Sequence, residues 1–241
     1  MSWMLDKKIF VHIPKCAGMT IRRSAQLEQR IHHVDSVDDL KSKDYFDGLV
    51  KCMMKTENTG PNPTRAQIGV GHCRWRDIHP SLRSTMDSFA VIRNPWDRVV
   101  SRYFFARKVV YVEGKDPVGK FKLDSFEDFL EERNEWGGME YMWHRAIRGW
   151  FPAKEHVSDS EGNVRCDIIR FENLNEDLEK YFGILKMDRA RNVTGLNEGS
   201  YTDLYNDKTI QIVADWYKDD IETWGYDFDT GPTKNYWAEK L

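Results

Sequence analysis

Long apolar runs are what this chain most plainly lacks. The first one, Ile9 to Ile13, is interrupted by His12 and closed by Pro14, which makes it too short for a signal-peptide core or a membrane-spanning helix, and nothing later in the 241 residues supplies one. Cysteine is scarce as well. Cys16, Cys52, Cys73 and Cys166 form no C-x-x-C pair and have no histidine at zinc-finger spacing, so no structural metal is expected. They read as free thiols of a reducing compartment, and the expected location is the cytoplasm. An excess of one charge is missing too: 36 Lys plus Arg stand against 39 Asp plus Glu, a net charge of -3 with the signs interspersed. That excludes a nonspecific nucleic-acid binder, which carries a basic face. There is no internal repeat and no low-complexity tract. What is present is the composition of a soluble globular protein, 40% hydrophobic and 31% charged, with 9 Trp among an aromatic fraction of 13%. Those rings must be buried or put to use lining a ligand site.

Strand and helix signals alternate along the chain. Lys8 to Ile13 reads as a strand, Ile21 to Ile31 as a helix, Asn58 to Pro63 as an exposed loop, and Ala66 to Gly71 as a short strand leading into His72. Ser88 to Arg93 is the clearest buried strand. Asn94-Pro95 opens a helix on which Trp96, Val99, Val100, Tyr103 and Phe104 recur at three and four. Ser125 before Asp128 predicts an N-cap, Met139 to Trp150 a further helix, and Cys166 to Phe171 a strand. Leu174 to Phe182 reads as a helix ended by Gly183, and Thr209 to Trp224 as one last helix with a single apolar stripe. The fold class is therefore α/β: one domain over residues 1–241, a central parallel sheet flanked by helices. The span 108–138, with its four glycines, reads as a substrate-covering insertion.

In such a sheet ligands sit beyond the carboxyl ends of the strands, which directs attention to two loops. Pro14-Lys-Cys-Ala-Gly-Met-Thr20 joins a buried strand to a helix, so that backbone N–H groups, the Lys15 charge and the Thr20 hydroxyl can converge on an anion. Gly18 would let a ligand approach the backbone. The loop is P-loop-like without being a Walker A sequence, because its lysine precedes the glycine. Arg93 ends the other strand, and Ser101 lies eight residues on. An arginine there suits a phosphate, although a salt bridge to Asp97 is the competing reading. Arg98 and Arg102 are expected to be solvated.

Taken together, Ile9-Phe-Val-His-Ile-Pro-Lys-Cys-Ala-Gly-Met-Thr20 resembles the 5′-phosphosulfate loop of the sulfotransferases, and Val91-Ile-Arg-Asn-Pro-Trp-Asp-Arg-Val-Val-Ser-Arg-Tyr103 resembles their 3′-phosphate motif. The His-Ile-Pro-Lys form is most similar to the carbohydrate sulfotransferases. Fainter similarity runs through Arg170-Phe-Glu-Asn-Leu174 and Asp219 to Phe228. The resemblance implies a P-loop-like sulfotransferase fold, binding of 3′-phosphoadenosine 5′-phosphosulfate (PAPS), release of 3′-phosphoadenosine 5′-phosphate (PAP), and no metal. It also implies roles for named residues: Lys15 holds the phosphosulfate and stabilises the leaving oxygen, Cys16, Ala17, Gly18, Met19 and Thr20 cradle it, and Arg93 and Ser101 grip the 3′-phosphate. Cys16, Ala17 and Met19 stand where relatives usually have Thr, Gly and Thr, which removes hydroxyl contacts and leaves backbone ones.

Sulfuryl transfer needs a base for the acceptor proton. Val70-Gly-His-Cys-Arg-Trp75 is similar to the Gly-His segment that supplies the base in glycan sulfotransferases, which makes His72 the first candidate, with His79 and His144 behind it. His12 reads as structural, and His32, His33 and His156 as surface residues. The expected acceptor is a carbohydrate or other small hydroxylated molecule. Trp75, Trp136, Trp143 and Trp150 are the rings available to stack on it, and Arg74, Arg76 and Arg145 the cations available to an acidic glycan; each of these residues also reads as core or surface. Two other functions fit the same residues: a non-catalytic PAP- or glycan-binding module, and a nucleotide kinase, which the missing Gly-Lys-Ser/Thr disfavours.

Overall fold

The computed structural model describes residues 7–56, 69–114, 121–183 and 200–241. Its centre is β3 (Ser88–Ile92), five residues that are all buried. A strand covered on both faces has no polar side to present, hence the unbroken run Ser-Phe-Ala-Val-Ile. On one side lies β4 (Asp167–Arg170), with Phe89 opposite Asp167. On the other lies β1 (Lys8–Val11), with Ile9 opposite Ser88, and beyond it β2 (Ile31–His33). All pairings are parallel and the order is β2-β1-β3-β4. The chain leaves β1 for a neighbour on one side and later returns to its other side. The switch point therefore falls between β1 and β3, where the loops leaving their carboxyl ends diverge and open a crevice.

Nine α-helices are present among the described residues: α1 (Gly18–Arg22), α2 (Lys43–Thr56), α3 (Pro80–Thr85), α4 (Pro95–Arg107), α5 (Phe126–Trp136), α6 (Ala153–Val157), α7 (Leu174–Phe182), α8 (Asp207–Trp216) and α9 (Lys218–Trp224). Helix α4 starts where the sequence says it must. The Asn94 Oδ1 accepts from the Trp96 and Asp97 amides, and Pro95 follows it at the first helical position. Ser125 caps α5 through the Asp128 amide at 3.0 Å, and α7 ends at Gly183, whose φ is 82°. Among the described residues no helix is long and apolar enough to cross a membrane.

Several expectations change. The helix read over Ile21 to Ile31 is only α1, followed by turns up to β2. The span Met139 to Trp150 is turns and one short 3₁₀ segment, Met142–His144. The physical reason is Arg102, which draws the Ala146 and Ile147 carbonyls onto its guanidinium, out of any helical ladder. The single C-terminal helix is two helices, α8 and α9, broken at Tyr217, whose φ and ψ of -106° and 24° are not helical. The proposed strand before His72 lies outside the described residues over 66–68, and Val70–His72 is a 3₁₀ turn entered through Gly69. The loop at 58–63 lies outside the described residues. Within the span 108–138, residues 115–120 are likewise outside, while α5 is core, with Phe129 and Leu130 fully buried. Trp136, Trp143 and Trp150 are also core, and Trp75 is half-buried against it.

Candidate active site

The loop between β1 and α1 is unusual in its backbone. Lys15 and Ala17 both sit in the left-handed region, at φ 69° and 57°, where a non-glycine residue costs about 1–2 kcal/mol. Hydrogen bonds hold it there. The Cys16 amide donates to the Ile13 carbonyl at 3.3 Å, and the Thr20 amide to the Ala17 carbonyl at 2.9 Å. Arg98 Nε donates to the Pro14 carbonyl and Arg93 Nη1 to the Lys15 carbonyl, each at 3.1 Å. Gly18 is required for a reason the sequence did not reveal: a Cβ built there would lie 1.5 Å from His12 Nε2. The imidazole fills the position of that Cβ, and the Gly18 backbone packs directly against it. The Cys16 side chain also turns inward, where burial raises its thiol to about 11, so this position contributes backbone and core packing.

Lys15 points its ammonium over the Phe105 ring, 4.3 Å from its centre, and has no carboxylate partner among the described residues. Burial lowers its pKa to about 7, and Arg93, Arg102 and Lys108 push in the same direction. A buried cation with other cations nearby and no carboxylate partner of its own is a candidate to hold an anion. Arg93 makes the salt bridge that competed with phosphate binding: Nε and Nη2 pair with both Asp97 oxygens at 2.7 and 2.6 Å, and its Cζ lies 4.1 Å from the Phe171 ring centre. With the bond to Lys15 counted, three N–H groups are engaged, and a guanidinium has five. Ser101, buried in α4, follows Asp97 by one turn in the same row.

His72 donates from Nδ1 to the His12 carbonyl at 3.0 Å. A carbonyl only accepts, so the proton is on Nδ1 and Nε2 keeps its lone pair. The two imidazoles are 4.1 Å apart between ring centres. Burial lowers the His72 pKa to about 4, with Arg145, Arg22 and Lys15 adding to the shift and the backbone bond opposing it. His79 is occupied elsewhere, its Nδ1 accepting from the Ser81 amide at the start of α3. The side chain of His144 lies outside the described set.

Other histidines and arginines depart from expectation. His156 is fully buried in α6, and burial, then Arg98 and His72, hold its pKa well below the usual range. His32 and His33 are half-buried, the former bonded to Asp39 at 3.0 Å and the latter edge-on to Phe10. Arg98 and Arg102 are not solvated; both are wholly buried. Their charged forks reach carbonyls of remote loops, and periodicity alone cannot distinguish that from an exposed arginine. The sequence also understated Asn94. Its amide donates to Glu172 Oε1 at 2.7 Å, and its Nδ2 donates to the Asp227 and Thr230 carbonyls at 2.9 and 2.8 Å, tying the C-terminal segment to the loop after β3.

Comparison with known proteins adds one finding: a family model described as sulfotransferase family matches residues 6–227. No curated protein and no solved structure matches the chain.

Proposed function

We propose, from the premise that this chain belongs to the sulfotransferase family, that it transfers the sulfuryl group of PAPS to a hydroxyl or amine of a carbohydrate or other small acceptor, releasing PAP. The observation that carries the reading is Lys15, a buried ammonium without a carboxylate partner among the described residues, one hydrogen-bonded step from Arg93. Two cations that leave adjacent strands fit a ligand with separated anionic groups. Lys15 and the loop backbone from Cys16 to Thr20 would hold the phosphosulfate, and the free N–H groups of Arg93 with the Ser101 hydroxyl the 3′-phosphate. PAPS, when bound, would supply an activated sulfuryl group, whose sulfur would bond to the acceptor oxygen or nitrogen as its bond to the phosphate oxygen breaks.

The chain's own part is electrostatic and acid–base. The Lys15 ammonium offsets charge developing on the leaving oxygen. Nε2 of His72 takes the acceptor proton, in the tautomer that its bond to His12 enforces. The inward Cys16 side chain offers no group to the phosphosulfate, which leaves the cradle to the loop backbone. Four free cysteines, three of them buried, favour a reducing compartment such as the cytoplasm.

The test is turnover with labelled PAPS over an acceptor panel. Lys15→Ala and His72→Ala are each expected to lower kcat by about 10² or more, while Arg93→Ala chiefly raises the KM for PAPS. Wild-type turnover by Lys15→Ala overturns the mechanism. Tight PAP binding without transfer to any acceptor would favour a non-catalytic module, and ATP outcompeting PAP would favour a kinase.

A further inference from the structure

We propose that Arg98 is the positioning residue that sets Lys15 for catalysis, although it never meets the ligand. Its side chain is entirely buried, runs from α4 beneath the loop after β1, and forks onto two carbonyls: Nε to Pro14 and Nη1 to Phe151, each at 3.1 Å. The Pro14 carbonyl belongs to the peptide that enters Lys15, and Arg93 holds the carbonyl on the other side of the same residue. Lys15 is thus gripped by its two flanking peptides, by two arginines of one strand–helix unit, and it is the residue at φ 69°. A left-handed lysine persists only where its surroundings over-determine it. Fixing the Pro14 carbonyl fixes the plane of the following trans peptide, and with it the direction in which the Lys15 side chain leaves the backbone.

The choice of arginine follows from geometry. Two carbonyls from separate loops require donors diverging from one rigid plane, which an ammonium on a flexible stem does not provide. A buried carboxylate lies near enough to feel the Arg98 charge without competing for those donors. Asp220, also buried, interacts electrostatically with Arg98 while its oxygens accept the Ala153 and Lys154 amides at 2.7 and 2.9 Å. Arg98 therefore ties the phosphosulfate loop to Phe151, just before α6, and Asp220 of α9 holds the first two amides of α6.

The inference rests on the sulfuryl-transfer reading for one of its two readouts, and the experiment separates them. Arg98→Lys, folded and purified with PAP to support folding and then freed of it, is compared with the wild type and with Ile168→Ala, a cavity variant in β4, two strands away from β1 and its loop. The first readout is kcat with PAPS. The second is the rate at which an amine-acylating reagent labels Lys15 in the PAP-free protein, followed by peptide mass. Arg98→Lys is expected to lose about a hundredfold in kcat, the cost of a misplacement of about 1 Å, with PAP affinity changed less than about fivefold and Lys15 labelling altered severalfold. Ile168→Ala lowers the melting temperature and leaves both readouts unchanged. Unchanged kcat and labelling in Arg98→Lys overturn the proposal. So does equal loss in both variants, or failure of Arg98→Lys to fold even with PAP, each of which makes Arg98 merely structural. Altered labelling in a protein whose wild type transfers sulfate to nothing keeps the positioning role and discards the transfer reading.

Discussion

Lys15 makes the activity of this protein depend on pH in a direction that can be worked out. Its pKa in the folded chain is about 7 against an ordinary 10.5, so above about 7 the free protein loses the ammonium an anion needs. PAP binding at pH 8 should take up a proton, visible by calorimetry in buffers of different ionisation enthalpy, and affinity should fall as pH rises. Between about 7 and 10.5 the unfolded chain binds more protons than the folded one, so the ligand-free protein should gain stability with rising pH over that window. Lys15→Met should abolish both effects. Turnover should also fall at the acid end as His72 protonates toward its value of about 4. Gly18 supplies a second residue-scale prediction. Gly18→Ala drives a methyl into His12 and should cost about 1–3 kcal/mol, the usual range for overpacking, along with most activity. His12→Ala in the same chain should restore stability, measured by urea unfolding as a less than additive double mutant.

At the scale of elements, Asn94 couples the start of α4 to the C-terminal segment. Asn94→Ala removes the cap, worth about 1–2 kcal/mol, and releases the Asp227 and Thr230 carbonyls together. The expected result is a lower melting temperature and faster amide exchange over residues 226–233; protection there equal to wild type would rule out the coupling. The elements also show where sequence reading works. Helix α4, with its Asn-Pro start, the Ser125 cap of α5 and the Gly183 end of α7 were all legible, because local backbone chemistry decides them. Residues 139–150 were not, since their carbonyls answer to Arg102, from a distant helix. Nor was the break at Tyr217, whose ring is wholly buried and whose hydroxyl accepts from the same arginine at 3.2 Å.

For the whole molecule, the arrangement predicts which nucleotide it prefers. Arg93, reached from β3, and Lys15, reached from β1, are separate cations on adjacent strands, suited to phosphates at both the 3′ and 5′ positions. PAP should raise the melting temperature well above what ATP achieves at equal concentration; at a hundred times its Kd it adds about 2.7 kcal/mol. Equal shifts would remove the basis for the 3′-phosphate site. The α/β alternation, the loops after β1 and β3 and the family are legible in the chain alone, which also nominates Lys15 and Arg93, because strand ends, caps and short motifs are local. It takes the folded chain to show that β1 and β3 are neighbours with the switch point between them, that Gly18 makes room for His12, and that Arg98 lies buried beneath the Lys15 loop. Each of these depends on which groups distant in sequence share a buried volume. An arginine or glycine looks the same in a sequence whatever it packs against.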